Sequence, residues 1–196
     1  MGKIFYIMGK SASGKDKIYS ELLENAELGL KELVLYTTRP IRQGEEDGKQ
    51  YFFVDDERLN QLRDREKIIE ERSYQTVHGI WTYFTADEGQ IDLAHFNYVG
   101  IGTLESYGKM RQYFGNQAMV PIYIEVEDGI RLERALKREK KQNEPKYREM
   151  CRRFLADCDD FSEENIRKEE IERRFFNNGE FSDCRKEVEE FIKSMI

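Results

Sequence analysis

The chain has 196 residues, 36% of them charged and 39% apolar, with a formal charge of −7. That length holds one well-cored domain with room for small inserted lobes. No apolar run nears the roughly 20 residues that span a bilayer, and the acidic balance argues against a nucleic-acid partner, which selects a basic face. Cys151, Cys158 and Cys184 are odd in number and lack metal-site spacing, while His78 and His95 lie apart, so the reading is of a cytoplasmic protein with incidental thiols and no zinc.

Lys3–Met8 (KIFYIM) is a short β-rich run that ends in Gly9, as a buried strand would. After a glycine- and serine-containing turn, Ile18, Leu22 and Leu23 predict a helix over Lys17–Ala26. Leu33–Tyr36 is a second strand candidate, closed by Thr37-Thr38-Arg39-Pro40, since proline disfavours helix in the residue before it. Gln43–Lys49 reads as a polar turn, Tyr51–Val54 as a strand, and Tyr74–Phe84 as a hairpin around Gly79. Residues 37–85 therefore form a small, mostly β lobe inserted between core segments 1–36 and 86–196. Tyr98–Ile101 and Met119–Val126 are strand candidates on either side of a helix over Leu104–Phe114. A basic helix over 128–141, a break at Gln142–Pro145, and charged helices over 146–160 and 163–174 follow. An amphipathic helix over Glu180–Ile196 turns Cys184, Val188, Phe191 and Ile192 inward. Alternating strands and helices with one inserted β lobe point to a three-layer α/β fold on a parallel sheet.

Between the first strand and first helix stands Gly9-Lys10-Ser11-Ala12-Ser13-Gly14-Lys15, a G-x-x-x-x-G-K phosphate loop. Its turn aims successive backbone N–H groups into one concavity that wraps a phosphate, and Lys15 can reach β- and γ-phosphate oxygens as a point charge. The next position, where a hydroxyl would ligate Mg²⁺, is Asp16. Its carboxylate is either a Mg²⁺ ligand or a helix cap.

Further along, Arg39 and Arg42 stand three residues apart on a proline-stiffened turn, with Tyr51 after them. Two guanidiniums so placed can grip one phosphate by fork-like hydrogen bonds. By charge pattern alone the segment reads more readily as an ordinary basic turn offset by Glu45, Glu46 and Asp47.

The phosphate loop, the T-T-R-x-x-R-x-G-E and G-x-x-Y-x-F segments over 37–53, Ile69-Glu70, the His78-Gly79 hairpin and the basic helix together resemble the guanylate kinase family. The resemblance implies a P-loop kinase with a GMP-binding lobe and a helical lid over about 138–150. Arg39, Arg42 and Tyr51 would bind the GMP phosphate, Glu45 would hold the two arginines, and Glu70 would accept from guanine N1–H and the 2-amino group. Arg138 and Arg153 would close onto the phosphates, joining Lys15 and Arg39 in catalysis. Asn177 would lie in the adenine-side loop. Tyr83 stands where the family has a two-tyrosine hairpin, Leu35 replaces a serine, and Gly100-Ile101-Gly102 replaces the family's D-x-D. The lost acids leave room for a different phosphorylated acceptor. A non-catalytic binding module of the same fold is the other alternative, set against the intact Gly14 and Lys15. The other cations of the basic helix, Arg131, Arg134, Lys137, Lys140 and Lys141, read mainly as a solvated face, interleaved with Glu133 and Glu139.

Overall fold

Strand β1 (Ile4–Met8) is buried at every residue. Side chains alternate across a strand, and Ile4, Tyr6 and Met8 enter one apolar cluster while Phe5 and Ile7 enter another on the opposite face. A strand apolar on both faces is the centre of a sheet covered by helices on each side.

The computed structural model describes residues 1–76 and 79–196 and has that architecture. In chain order, the first half runs β1, α1 (Lys15–Glu24), β2 (Lys31–Glu32), β3 (Leu35–Thr37), β4 (Tyr51–Phe53), α2 (Asp56–Asp64), β5 (Ile68–Thr76) and β6 (Gly79–Ala86). The second half runs β7 (Tyr98–Ile101), α3 (Leu104–Phe114), β8 (Met119–Glu125), α4 (Asp128–Glu139), α5 (Tyr147–Asp160), α6 (Glu163–Lys168), β9 (Arg174–Phe176) and α7 (Phe181–Lys193). The main sheet has the order β2-β7-β1-β8-β9, and its pairings are all parallel. Ile18 and Leu22 of α1 and Cys184, Val188 and Ile192 of α7 cover one face. Leu104, Tyr107 and Met110 of α3 and Ile166 of α6 cover the other. Among the described residues no helix is long and apolar enough to cross a membrane.

A second sheet, β4-β3-β6-β5, carries its own small core of Tyr36, Leu59, Leu62, Phe84 and Ala86. Tyr36 lies between Phe84 and Phe52, with ring centroids 5.1 and 4.7 Å away. Three sequence expectations change here. The apolar run 33–36 is divided: Leu33 packs in the main core, while β3 starts at Leu35 and belongs to the second sheet. The lobe also contains helix α2, capped by Asp55 accepting from the Arg58 amide at 2.7 Å, with Leu59 and Leu62 as its buried face. Helix 163–174 is cut short at Lys168, because Glu170 takes a left-handed φ of 56° and the chain then extends into β9 to complete the main sheet. The hairpin of β5 and β6 forms as expected up to Thr76 and from Gly79, and His78 lies outside the described residues.

Where β7 ends, the packing leaves no space for larger side chains. A Cβ on Gly102 would stand 2.1 Å from Tyr6 Oη and 2.6 Å from Ser106 Oγ. One on Gly100 would stand 2.9 Å from a Leu33 methyl. Tyr6 and Ser106, hydrogen-bonded at 2.8 Å, thus fill the volume beside the glycines. Gly102→Ala should lower unfolding free energy by roughly 1–3 kcal/mol through overpacking. Gly129→Ala, on α4 with open space around its Cβ, should instead raise it by about 0.5–1 kcal/mol. Urea unfolding of both variants checks the pair, and equal shifts in one direction would count against this packing.

Candidate active site

The phosphate loop joins the end of the central strand to α1. Gly14 is the residue before the helix, at a left-handed φ of 89°. A Cβ there would lie 2.6 Å from Asn177 Nδ2, so both backbone and neighbour require glycine. The first amides of α1 have no intrahelical acceptor and, with the helix dipole, favour an anion at this end. Lys15 is mostly buried, and its ammonium lies 3.5 Å from Asp16 Oδ2. The Asp16 side chain is 84% exposed at the loop's mouth. It accepts no capping bond, and the capping position belongs to Gly14. Among the described residues no cluster of three or more metal-ligating side chains occurs. Mg²⁺ on a nucleotide commonly takes one or two carboxylates, with phosphate and water completing its shell. A single exposed carboxylate fits that demand.

The loop's carbonyls are held from outside. Asn177 is buried, and its Nδ2 donates to the Ser13 carbonyl at 2.8 Å. The resemblance places Asn177 in the adenine-side loop; here its side chain is held against the phosphate loop, with Oδ1 unpartnered among the described residues. On the other side Arg131, 1% exposed, donates to the Ser11 carbonyl at 3.5 Å. Its charge is balanced by Asp128 at 2.9 Å and Asp157 at 3.3 Å, and its guanidinium lies 3.9 Å from the Phe154 ring centroid. Asp157 also accepts from the Ser11 amide at 2.7 Å. The solvated-face reading of α4 therefore fails at Arg131, whose spacing to Ala135, also buried, marks an inner face. Lys10 reaches the same network, 3.4 Å from Asp128.

Arg138 and Arg153, exposed and without an ion pair among the described residues, line one cavity of about 580 Å³ together with Ser11 and Arg131. The structure thus gathers these two arginines beside the loop. Lys15 is not brought into contact with either.

Across from the loop, Arg39 is 4% exposed and forms a two-pronged pair with Glu45, with N–O distances of 2.7 and 2.5 Å. Glu45 also accepts from the Arg42 amide at 2.8 Å, leaving the Arg42 guanidinium exposed, 5.9 Å from the Trp81 ring centroid. Arg39 lies 5.1 Å from the Tyr51 ring centroid, and Tyr51 meets Tyr83 edge-on at 5.6 Å. Of the residues that the resemblance groups, Arg39, Arg42, Glu45, Tyr51 and Tyr83 lie near one another. Glu70 departs from it. Its carboxylate is buried, accepting from Arg72 Nε at 3.0 Å and Thr85 Oγ1 at 2.9 Å, and it does not line the second cavity, of about 440 Å³, that has Tyr51 and Tyr83 in its wall. Arg72, which sequence reasoning passed over, lines that cavity instead.

Hydrogen bonding from Arg39, opposed by burial and helped by the Arg42 amide, holds the Glu45 carboxyl down at about 2, against an ordinary 4.5. Because the folded-state value is the lower one, the pair's stabilisation is complete above about 4.5 and is lost as pH falls through about 2. Wild type should therefore lose more stability over that interval than Glu45→Gln does, with the two curves parallel at higher pH. Urea unfolding across the interval measures the difference, and parallel curves throughout would show that the pair contributes nothing.

The sequence profile of the guanylate kinase family matches residues 1–83. The chain is 40% identical over 97 residues to a guanylate kinase of Neisseria gonorrhoeae, a match covering 50% of this chain and 45% of the relative. It is 38% identical over 78 residues to one of Thermotoga maritima, covering 40% of this chain and 36% of that one. The matched chain thus spans about half the length, or less, of these curated relatives. In structure it resembles the guanylate kinase of Anaplasma phagocytophilum, with a TM-score of 0.64 at 16% identity over 98% of this chain and 86% of the other. Through its first 83 residues, which hold the phosphate loop and the arginine lobe, this chain is similar to the guanylate kinase family, and over nearly its whole length it shares the fold of that solved guanylate kinase.

Proposed function

We propose that this protein transfers the γ-phosphate of ATP to GMP, giving ADP and GDP. The observation that carries the reading is the pairing of two phosphate grips of different build. One is a backbone turn with Lys15 at a helix start; the other is an anchored arginine with a second arginine left free. A donor polyphosphate suits the first, because amides and an ammonium surround it without demanding a fixed orientation. A terminal monophosphate suits the second, because forked guanidiniums and tyrosine hydroxyls fix its direction.

In the transfer, an oxygen of the GMP phosphate forms a bond to the γ-phosphorus as the bond to the β,γ-bridging oxygen breaks, and the electron pair leaves with ADP. Little covalent chemistry falls to side chains; orientation and charge stabilisation dominate. Lys15 and the loop amides hold the donor. Arg42, with Arg39 behind it, aims the acceptor, with Tyr51 and Tyr83 beside the phosphate. Arg138 and Arg153 swing from their cavity onto the transferring group, and closure of α4 and α5 excludes water. Asp16 would hold Mg²⁺, which when bound neutralises charge building on the β- and γ-oxygens. The partners in this reading are small-molecule nucleotides, ATP and GMP, without nucleic acid or membrane.

A coupled assay of ADP formation with GMP tests the proposal. Lys15→Ala should lower turnover by about 10²–10³ with the fold intact by circular dichroism. In the same assay, Asp16→Asn should raise the Mg²⁺ needed for half-maximal rate and Asp16→Ser should recover part of the loss. Near-normal rates in Lys15→Ala would remove the loop from the mechanism, and superimposable Mg²⁺ curves would remove Asp16 from the metal.

A further inference from the structure

Between the second sheet and the end of β7 lies a cavity of about 440 Å³ with Tyr51 and Tyr83 at its walls. Leu35, Trp81 and Ile101 add apolar surface, and among the described residues Arg72 is the one charged side chain that lines it. The tyrosines connect this cavity to the anchored arginine, so a nucleotide held by its phosphate there has its base in the cavity. Among the described residues no carboxylate lines it. Glu70 is buried behind Arg72, and the spaces beside Gly100 and Gly102 are taken by Leu33 and Tyr6.

The way Arg72 is held decides what it can offer. Its Nε donates to Glu70 Oε2 at 3.0 Å and its Nη2 to Oε1 at 3.4 Å. That pair uses one edge of the guanidinium. The other edge, Nη1 together with the outer N–H of Nη2, has no protein partner among the described residues. A planar fork with two parallel N–H groups matches two adjacent acceptors. On a purine, the edge that presents two is O6 with N7 of a 6-oxopurine, the same pairing by which arginine reads guanine in nucleic acids. The N1–H and 2-amino edge of guanine presents donors, which would face donors here. Adenine offers N7 but sets a 6-amino donor against the fork.

We propose that Arg72 reads the acceptor base through O6 and N7, so that the acceptor class is 6-oxopurine monophosphates, with the 2-amino group unread. Glu70 is a positioning residue that orients the fork. The inference rests on the function proposed above and deepens it: GMP and IMP are both acceptors, and AMP is refused.

The test compares GMP, IMP, AMP, CMP and 7-deaza-GMP as acceptors for the wild-type protein, with binding of each measured by calorimetry. IMP should match GMP in kcat/KM within about threefold. Loss of one hydrogen bond to a charged group should make 7-deaza-GMP and AMP each about ten- to a hundredfold worse. Arg72→Ala risks leaving Glu70 buried and unpaired, so Arg72→Lys is the variant of choice. It keeps the charge beside Glu70 and removes the fork, and it should erase most of the difference between GMP and 7-deaza-GMP. IMP a hundredfold worse than GMP, with 7-deaza-GMP equal to GMP, would overturn the proposal, because the base would then be read through its amino edge. CMP as the best acceptor would overturn it too, since cytosine presents O2 and N3 to the same fork. If ATP binds and no monophosphate does, the proposed function itself fails and the inference falls with it.

Discussion

A phosphate loop can point its amides inward only if its carbonyls are held from behind. In this protein two side chains from distant segments do that, Asn177 at the Ser13 carbonyl and Arg131 at the Ser11 carbonyl. Each is nearly or fully inaccessible to solvent, and each brings other structure with it. Arg131 is a buried cation, which is tolerable only with its charge paired and its hydrogen bonds satisfied. Asp128 on its own helix, and Asp157 and Phe154 on the next, supply what it needs. The docking of α5 on α4 is therefore electrostatic as much as apolar; α5 has no fully buried residue of its own. Asn177 in turn is fixed by its backbone N–H, which donates to the Glu125 carbonyl at the end of β8 at 2.9 Å. Hydrogen bonds and ion pairs thus tie the phosphate loop to α4, α5 and the end of the sheet.

The same device recurs in the second sheet. Arg39 and Arg72 are each gripped along one edge by a carboxylate, Glu45 and Glu70 respectively, within a few residues on the same segment. A guanidinium held this way loses less freedom on binding, and its orientation is set before any ligand arrives. The core sheet needs a cation that tolerates varied geometry, and has Lys15. The lobe needs cations that enforce geometry, and has arginines.

What the sequence disclosed follows from whether a signal is local. The phosphate loop is legible because its glycines and lysine are consecutive and sit between an apolar run and an amphipathic helix. The lobe's arginines are legible through a specific segment, 37–53, shared with a known family. Arg131 stayed hidden among the basic residues of α4, because Phe154 and Asp157, which set it apart, are a helix away. Its spacing to Ala135 was the available clue. Arg72 was hidden for the opposite reason, since it follows Glu70 at a two-residue interval that puts both on one side of β5, and a pair of unlike charges there reads as ordinary surface. Helix α2 was missed because only Leu59 and Leu62 mark its inner face, in a stretch otherwise polar.

The central claim is that donor and acceptor phosphates are held by two separate grips, a backbone one at 9–16 and a guanidinium one at 39–51. Titration of backbone amide NMR signals tests it most directly. Mg·ATP should shift the amides of Gly14 and Lys15 and leave Arg42 and Glu45 nearly still. GMP should do the reverse, and each should bind in the presence of the other. If both nucleotides shifted the same set of amides and competed for it, there would be one phosphate site, and the account would be wrong.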